Sequence, residues 1–350
     1  MIAPRTKLKD ARRSVTMAEI ARLCGTTKMT VSRVFAGRPG VSEALREKVL
    51  KQATRLKYEV NQQASSFSSN RVNFIGLVTP FEGLLGSRYF QRVVEGLNRG
   101  LGNHPHDLVL FDMLSPNFES GDKLERVWRQ RKVDGFVILA PHTTDQFIRP
   151  LAESGVPLVV VGEVDPGHGV ASITADDEQG VRMAIEHLAG YGHKLIAYVG
   201  GPEMLSSAQR RLASYRETME NVGLEVKESM VMPGNYTMRS GREAGAKLFR
   251  AKRRPTAVFA ANDDMALGVM QAAMAEGLRV PEDVSVVGFD DLAEAAEYWP
   301  ALTTVHQPIR RIGLVASNLL LAQIVSDFQA PQPPPLDCNL VVRDSTAPLE

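Results

Sequence analysis

From residue 74 onward, short apolar segments of strand length alternate with longer segments that have helical periodicity. In the first part of this region the apolar segments read FIGLVTP, DLVLFD, DGFVIL and LVVVG, beginning at Phe74, Asp107, Asp134 and Leu158. Parallel strands need a crossover helix between them, so the alternation predicts an α/β fold with a parallel sheet and right-handed connections.

The alternation then starts again, which predicts a second α/β half. Its apolar segments read IAYVGG, TAVFAAND and VSVVGFDD, beginning at Ile196, Thr256 and Val284. Ligands of open α/β sheets bind beyond the carboxyl ends of the strands, and two such lobes enclose a cleft. We therefore expect a binding site between the halves, with the chain crossing between them near Ile173, near Thr303 and in the Pro-rich segment 331–335.

Composition excludes several classes of protein. The chain has 350 residues, 44% of them hydrophobic and 23% charged, as in soluble globular proteins of two or three folding units. Its two cysteines cannot form a disulfide framework, and no Cys/His cluster has zinc spacing. The N-terminal segment has no apolar signal-peptide core, and no run of eighteen apolar residues occurs. We expect a cytoplasmic protein with no membrane span, metal or cofactor.

Charge is distributed unevenly along the chain. Residues 1–71 contain 15 Lys and Arg against 5 Asp and Glu, a net charge of +10, whereas residues 72–350 contain 26 against 35, a net charge of −9. A basic segment of this kind suits nucleic acid, although a solvated basic surface has the same composition. The local pattern has to decide between the two.

Three short helices are predicted in the basic segment. Thr16 and Glu19 form a capping box at the start of the first helix, Ile20 and Leu23 form its apolar stripe, and Gly25 suits its left-handed end. Thr27 can cap a second helix that leaves its polar N-terminal turn exposed, and Ser42 can cap a third. Two short helices joined by a glycine turn are typical of a helix-turn-helix, whose second helix enters the major groove.

The segment VTMAEIARLCGTTKMTVSRVFAGRPGVSEALREKVL, from Val15 to Leu50, closely resembles the DNA-binding headpiece of LacI/GalR-family bacterial transcription regulators. Residues 72 to about 350 resemble the effector domain of the same family. The resemblance implies a small all-α helix-turn-helix headpiece (1–60), a hinge (61–72) and a two-lobed α/β periplasmic-binding-protein-like domain of type I (73–350). Its N-lobe is expected at about 73–173 plus 303–330, and its C-lobe at about 174–302 plus 331–350.

The family resemblance also implies which residues contact DNA. Lys28 and Met29 match the two main base-reading positions, where Lys can donate to guanine and Met can offer only apolar contact. The positions that match phosphate-holding residues of the family are Thr16, Thr30, Ser32, Arg33, Ser42 and Tyr58, of which Arg33 can also reach a base. Phosphate contacts fix the register, whereas base contacts select the sequence.

The hinge reads NQQASSFSSNRVN from Asn61 to Asn73, which by composition alone is a polar linker. In the family this segment becomes a helix on operator DNA and enters the minor groove, so Asn61, Ala64 and Phe67 are further candidate DNA contacts. Phe67 matches the family's leucine wedge but is larger, which would alter the central base step or the kink. The alternative is that Phe67 packs under the body domain.

Candidate effector residues follow the predicted strands. Phe81, Asn262 and Asp290 lie just after strand-like segments, and the latter two match hydroxyl-binding positions of the family. Arg211 matches the effector-binding arginine of an Arg-x-x-Gly-aromatic pattern, although Ser214 replaces the glycine and leaves Arg210 as a competitor. Two further family matches are an apolar N-lobe position and a pocket aromatic, Phe90 and Tyr236.

An arginine, an amide, a carboxylate and aromatic rings suit a hydroxylated ring, so a small sugar or sugar acid is the expected effector. Asp176 and Asp177 are predicted to begin a helix rather than to bind it. No nucleotide-binding, hydrolase or metalloprotease motif is present, which disfavours an enzyme.

The resulting hypothesis is a cytoplasmic homodimeric repressor of a carbohydrate-utilisation operon that binds a near-palindromic operator and is released by its effector. An activator or global regulator with a protein or metabolite corepressor shares every motif and stays open. A pure sugar-binding protein would need a signal peptide and no DNA-binding head.

Overall fold

The computed structural model describes residues 15–35, 37–56, 58, 71–79, 84–112, 121–164, 169–326 and 332–349. The chain divides into two compact units between Val72 and Asn73. The predicted hinge positions Asn61, Ala64 and Phe67, and the predicted effector residue Phe81, lie outside the described residues.

The first unit contains three helices, α1 (Met17–Cys24), α2 (Lys28–Phe35) and α3 (Glu43–Arg55). The predicted capping box at Thr16 is present, with the Glu19 amide donating to the Thr16 hydroxyl at 3.3 Å, and Gly25 has a φ of +65°. These signals depend on a few neighbouring residues, so the sequence was sufficient to position α1.

Packing of the first unit corrects the predicted apolar stripe. Ile20 is buried as predicted, but Leu23 is 48% exposed, and Ala21 and Cys24 are buried instead. Because α1 contacts both α2 and α3, its buried face is wider and is centred one residue away from the Ile20–Leu23 line. Arg46 on α3 donates to the carbonyl groups of Val34 and Arg38, which closes the C-terminal end of α2.

The second unit begins with a five-stranded parallel sheet in the order β2-β1-β3-β4-β5. Its strands are β1 (Phe74–Thr79), β2 (Asp107–Asp112), β3 (Gly135–Leu139), β4 (Leu158–Val161) and β5 (Ala171–Ile173). Its helices in chain order are α4 (Arg88–Leu101), α5 (Asp122–Arg129) and α6 (Ile148–Glu153). We call this layer the first lobe.

The second lobe is built on a six-stranded sheet in the order β11-β10-β9-β8-β6-β7. Its strands are β6 (Ile196–Val199), β7 (Val231–Met232), β8 (Ala257–Ala260), β9 (Ser285–Asp290), β10 (Thr303–His306) and the antiparallel β11 (Asn339–Val341). Its helices are α7 (Asp177–Gly190), α8 (Ser206–Asn221), α9 (Met238–Phe249), α10 (Asp263–Ala275) and α11 (Ala293–Glu297).

The lobes exchange chain segments. After β5 the chain enters α7 of the second lobe, and after β10 it returns in α12 (Ile309–Ser326), which packs on α4 and on β3 to β5. Since β10 pairs with β9, Thr303–His306 belongs to the second sheet. The return to the first lobe therefore follows His306, a few residues later than the predicted boundary at Thr303.

Close backbone contact joins α4 to α12. A Cβ atom added at Gly96 would lie 2.1 Å from the Arg310 carbonyl oxygen and 3.0 Å from the Gly313 Cα atom. Both obstructing atoms are backbone atoms, so the helices would have to separate to admit a side chain.

We expect Gly96→Ala to lower the free energy of unfolding by about 1–3 kcal/mol, the usual cost of overpacking. Urea unfolding followed by circular dichroism measures this change. Gly190→Ala is the matched control, because nothing lies within 4 Å of a Cβ atom at this helical glycine. Equal stability of the Gly96→Ala and Gly190→Ala proteins would contradict the close packing of α4 and α12.

Candidate functional site

Helix α2 presents a polar face to solvent. Lys28, Met29, Ser32 and Arg33 are exposed, with Met29 69% exposed, whereas the intervening Val31 is completely buried. The Thr27 hydroxyl accepts a hydrogen bond from the Thr30 amide at 3.2 Å, which fixes the first turn of the helix. The two predicted base-reading residues thus occupy the exposed first turn of a capped helix.

The other predicted DNA contacts of the first unit differ in their surroundings. Thr16 is exposed and caps α1. Ser42 occupies the N-cap of α3, but its hydroxyl makes no capping hydrogen bond, so the prediction that this side chain caps the helix is wrong. Tyr58 is half-buried, with its ring centroid 5.4 Å from that of Phe35.

A cleft lies between the two lobes of the second unit, enclosing about 880 Å³ of space that is partly open to solvent. Four predicted effector residues line it, namely Arg211, Tyr236, Asn262 and Asp290. Asn262 and Asp290 reach it because β8 and β9 end at the same edge of the second sheet.

Phe90 is not part of the lining, which corrects that prediction. Its side chain packs against the main hydrophobic core, and Tyr89, one residue earlier, lines the cleft instead. Since Ser87 caps α4 and each helical residue rotates by about 100°, the two neighbouring rings point in different directions. The sequence identified an aromatic at the start of this helix but not the phase of the helix.

Arg211 is held in a fixed orientation at the base of the cleft. It is 5% exposed, its Nε donates to Asp177 Oδ1 at 2.8 Å, and its Nη1 donates to the Ala261 carbonyl at 2.5 Å. Its guanidinium carbon lies 3.7 Å from the centroid of the Phe289 ring. Nη2 donates no hydrogen bond to any residue that the structure describes, so donors remain for a ligand.

Asp177 organises both arginines of the cleft. It is the first residue of α7, as predicted, but its buried carboxylate also accepts hydrogen bonds from Arg211 and from Nη2 of Arg210 at 2.6 Å. Arg210 extends further and donates from Nη1 to Glu163, which follows β4 in the first lobe. This arrangement assigns Arg211 to the interior of the cleft and Arg210 to a bridge between the lobes.

Asn262 has a structural task as well as a place in the lining. Its Oδ1 accepts from the Met265 amide at 2.9 Å as the N-cap of α10, and its Nδ2 donates to the Tyr236 carbonyl at 3.1 Å. Both ends of the amide are therefore fixed, and Oδ1 keeps a second lone pair.

Asp290 ends β9 with a φ of +125°, a conformation that is rare for residues other than glycine. Its side chain is buried and accepts a hydrogen bond from Gln307. Burial raises the pKa of Asp290 to about 7, although the nearby Arg211 guanidinium acts in the opposite direction. Asp291 instead pairs with Arg343 and His306 and is absent from the lining.

The raised pKa of Asp290 predicts a pH-dependent stability. At a pH between about 4 and about 7 the folded protein binds a proton here that the unfolded chain releases, so the free energy of unfolding falls as pH rises through this window. Asp290→Asn should abolish this component, worth up to about 4 kcal/mol at about 1.4 kcal/mol for each pKa unit, while keeping an acceptor for Gln307.

The measurement is the difference in unfolding free energy between wild type and Asp290→Asn at pH 5 and pH 8. The variant should gain on wild type as pH rises. Asp283→Asn is the control, because Arg279 lowers the pKa of this exposed carboxyl, so its contribution has the opposite sign. A difference between wild type and Asp290→Asn that is independent of pH would contradict the raised pKa.

Further polar contacts join the lobes beside the cleft. Arg88, the first residue of α4, pairs with Asp264 and with Glu294 of the second lobe at 2.5 Å each. Arg92 donates to the Asp291 carbonyl at 2.9 Å. The first turns of α4 are thus tied to the second lobe by side-chain donors alone.

Neither a metal site nor a membrane span emerges from the described residues. No group of three or more His, Cys, Asp or Glu side chains there could hold a metal ion. None of the described helices is both long and apolar enough to cross a bilayer.

Comparisons with known proteins cover both units. Residues 16–61 match the profile of bacterial regulatory proteins of the lacI family, and residues 185–346 match the periplasmic binding protein-like domain. Catabolite control protein A of Priestia megaterium is 32% identical, over 88% of this chain and 92% of that protein.

Two solved structures are similar over nearly the whole chain. The lac repressor dimer bound to operator and the anti-inducer ONPF is 28% identical, with a TM-score of 0.83 over 96% of this chain and 100% of that one. A complex of the transcriptional regulator CelR with cellobiose is 32% identical, with a TM-score of 0.73 over 95% and 99%. The predicted fold class, a helix-turn-helix headpiece with a two-lobed periplasmic-binding-protein-like domain, is confirmed. The chain belongs to the lacI family of bacterial regulatory proteins and is a DNA-binding transcriptional regulator rather than an enzyme.

Proposed function

We propose that this regulator is a cytoplasmic homodimer that represses a carbohydrate-utilisation operon and leaves its operator when a small sugar or sugar acid binds in the cleft. The observation that carries the proposal is the inter-lobe cleft, where an ordered arginine, an amide, a carboxylate and two tyrosines converge. Similarity to the CelR complex with cellobiose and to the operator-bound lac repressor dimer supports it.

Sugar recognition follows from the chemistry of the lining. The free Nη2 donors of Arg211 and the carboxyl group of Asp290 can form paired hydrogen bonds with adjacent hydroxyl groups. The rings of Tyr89 and Tyr236 supply flat apolar surfaces for the carbon face of a pyranose. Oδ1 of Asn262 can accept a further hydroxyl donor.

Release from DNA requires that the effector bind one arrangement of the lobes more tightly than the other. A ligand in the cleft touches residues of both lobes, such as Tyr89 in the first and Arg211 in the second, so its affinity depends on their relative orientation. We propose that this orientation controls the hinge at 61–72, where Asn61, Ala64 and Phe67 stay predicted DNA contacts.

Operator recognition is assigned to α2. Lys28 and Met29 select bases, whereas Thr16, Thr30, Ser32, Arg33, Ser42 and Tyr58 hold phosphates. A near-palindromic site is expected because a two-fold dimer presents two copies of α2. Selection of binding sites from randomised duplexes by the purified protein tests this expectation, and recovery of asymmetric half-sites alone would contradict it.

Substitutions in α2 should separate base reading from anchoring. Lys28→Ala and Met29→Ala should change the bases preferred in such a selection, at about 1–3 kcal/mol for a good base contact. Ser32→Ala should weaken selected and random duplexes alike, because a phosphate contact carries no sequence information. Uniform weakening by all three substitutions would mean that α2 does not read bases.

A ligand screen tests the effector proposal. A sugar present at a hundred times its dissociation constant should stabilise the protein by about 2.7 kcal/mol, which a thermal-shift assay detects. The same sugar should release the selected operator in a fluorescence-anisotropy titration. A ligand that strengthens operator binding, or a requirement for a second protein, would favour the corepressor-dependent regulator instead.

A further inference from the structure

We infer that the effector is uncharged, and that Glu163 and Arg210 exclude its anionic counterparts. This inference rests on the proposed function and narrows it from sugars and sugar acids to neutral polyhydroxylated ligands. The observation that carries it is the ion-pair network that already occupies both arginines in the lining of the cleft.

Each positive charge near the cleft has an acidic partner. Arg211 pairs with Asp177, Arg210 pairs with Asp177 and Glu163, and Arg88 pairs with two carboxylates of the second lobe. With Asp290 included, three arginines are matched by five carboxylates, which are Glu163, Asp177, Asp264, Asp290 and Glu294. Acidic groups are therefore in excess, and a bound anion would meet net repulsion.

Burial decides which of these pairs a ligand can replace. The Asp177 side chain is 2% exposed and is held by two guanidinium groups, so its removal from the arginines would leave buried charges unpaired. The Glu163 side chain is 56% exposed and contacts only the outer arginine, whose own side chain is 21% exposed. Glu163 is thus the one carboxylate of this pair of arginines that a ligand carboxylate can displace.

Tethering makes Glu163 a strong competitor. A group attached to the same molecule acts at an effective concentration in the millimolar range or above, so a free carboxylate must exceed that concentration to take its place on Arg210. A neutral sugar avoids this competition, because it can use the uncommitted Nη2 donors of Arg211 without breaking an ion pair.

Matched pairs of ligands test the charge preference. We would use glucose and glucuronate, galactose and galacturonate, and cellobiose and cellobionate in thermal-shift and calorimetric titrations of the full-length protein. Only neutral members should bind, with at least a tenfold preference over the corresponding acid. Binding of an acid but not of its neutral counterpart would overturn the inference and leave the proposed function intact. Failure of both classes would contradict the proposed function itself.

Substitution of Glu163 tests its role directly. Glu163→Gln should raise affinity for the acid of the best pair at least tenfold relative to the neutral sugar, because Arg210 becomes available to a ligand carboxylate. The double variant Glu163→Gln/Arg210→Gln should lose that gain. An unchanged ratio in Glu163→Gln would remove Glu163 from effector selection.

A matched control exists on the same helix. Arg216 of α8 pairs with Glu228, whose side chain is 72% exposed and which does not line the cleft. Glu228→Gln therefore breaks a comparable arginine–glutamate pair elsewhere, and it should leave the ratio of acid to neutral affinity unchanged. An equal change in both variants would mean that the effect arises from net charge, which would overturn the assignment to Glu163.

Discussion

Raising the salt concentration from 50 to 200 mM should weaken binding to the selected operator by about a thousandfold or more. A dimer that neutralises roughly six to ten phosphates releases a similar number of counterions, and the logarithm of its affinity falls linearly with the logarithm of salt concentration. Titrations at several salt concentrations, read by fluorescence anisotropy, give the slope.

The expectation rests on the free cations of the headpiece. Six basic side chains in the described part of the first unit are exposed and pair with no described acidic residue, namely Arg22, Lys28, Arg33, Arg38, Lys51 and Arg55. Arg46 and Lys48 are different, because they donate to backbone carbonyl groups within the unit. Two protomers can therefore supply enough free cations for the expected number of phosphates.

Single substitutions should change the slope in proportion. Loss of one phosphate contact in each protomer, for example by Arg33→Ala, should lower the absolute slope by about 2 for a dimer. Lys252→Ala is the control, since this exposed lysine belongs to the second lobe. A salt slope near zero in the wild-type protein would contradict electrostatic anchoring by the headpiece.

Local signals explain why the headpiece could be predicted in detail. A capping box, a left-handed glycine and an alternation of buried valines each involve residues within four positions of one another, so tertiary structure has little opportunity to override them. Leu23 is the exception, because its exposure depends on how α1 packs against two other helices. The hydroxyl of Ser42 likewise needed the geometry of the turn that precedes α3.

The cleft was predictable only in part, for a related reason. Strand ends of a parallel sheet meet at one edge, so Asn262 and Asp290 could be assigned from the order of the segments alone. Tyr89, Asp177 and Glu163 could not, because their roles arise from helix phase and from contacts across 30 or more positions of sequence. The acidic start of α7 was visible, but two arginines one turn of chain apart gave no sign that both would reach it.

Replacement of Arg211 by lysine should produce a repressor that binds its operator and does not respond to its effector. Lysine keeps the positive charge beside Asp177, so the buried carboxylate stays paired. It cannot reproduce the planar fork that donates to Asp177 and the Ala261 carbonyl, lies over Phe289 and still offers two donors to a ligand.

The loss should be large because charge-assisted hydrogen bonds contribute about 1.5–3 kcal/mol each. Loss of two such bonds raises the effector concentration needed for half-maximal release by roughly a hundredfold or more, at 1.4 kcal/mol for each tenfold change. Affinity for the operator without effector should stay within about twofold of wild type, since Arg211 belongs to the second unit and the DNA-reading helix to the first.

The measurement is operator binding, titrated with the sugar identified in the screen, for wild type, Arg211→Lys and the exposed control Arg216→Lys. The control should release DNA at the wild-type sugar concentration. Normal release by Arg211→Lys would remove this residue from the effector site. Loss of operator binding without sugar would show a purely structural role for Arg211, because its contacts with Asp177 and Ala261 join α7, α8 and the end of β8. Intact binding with lost release is the outcome expected only if the guanidinium group contacts the effector.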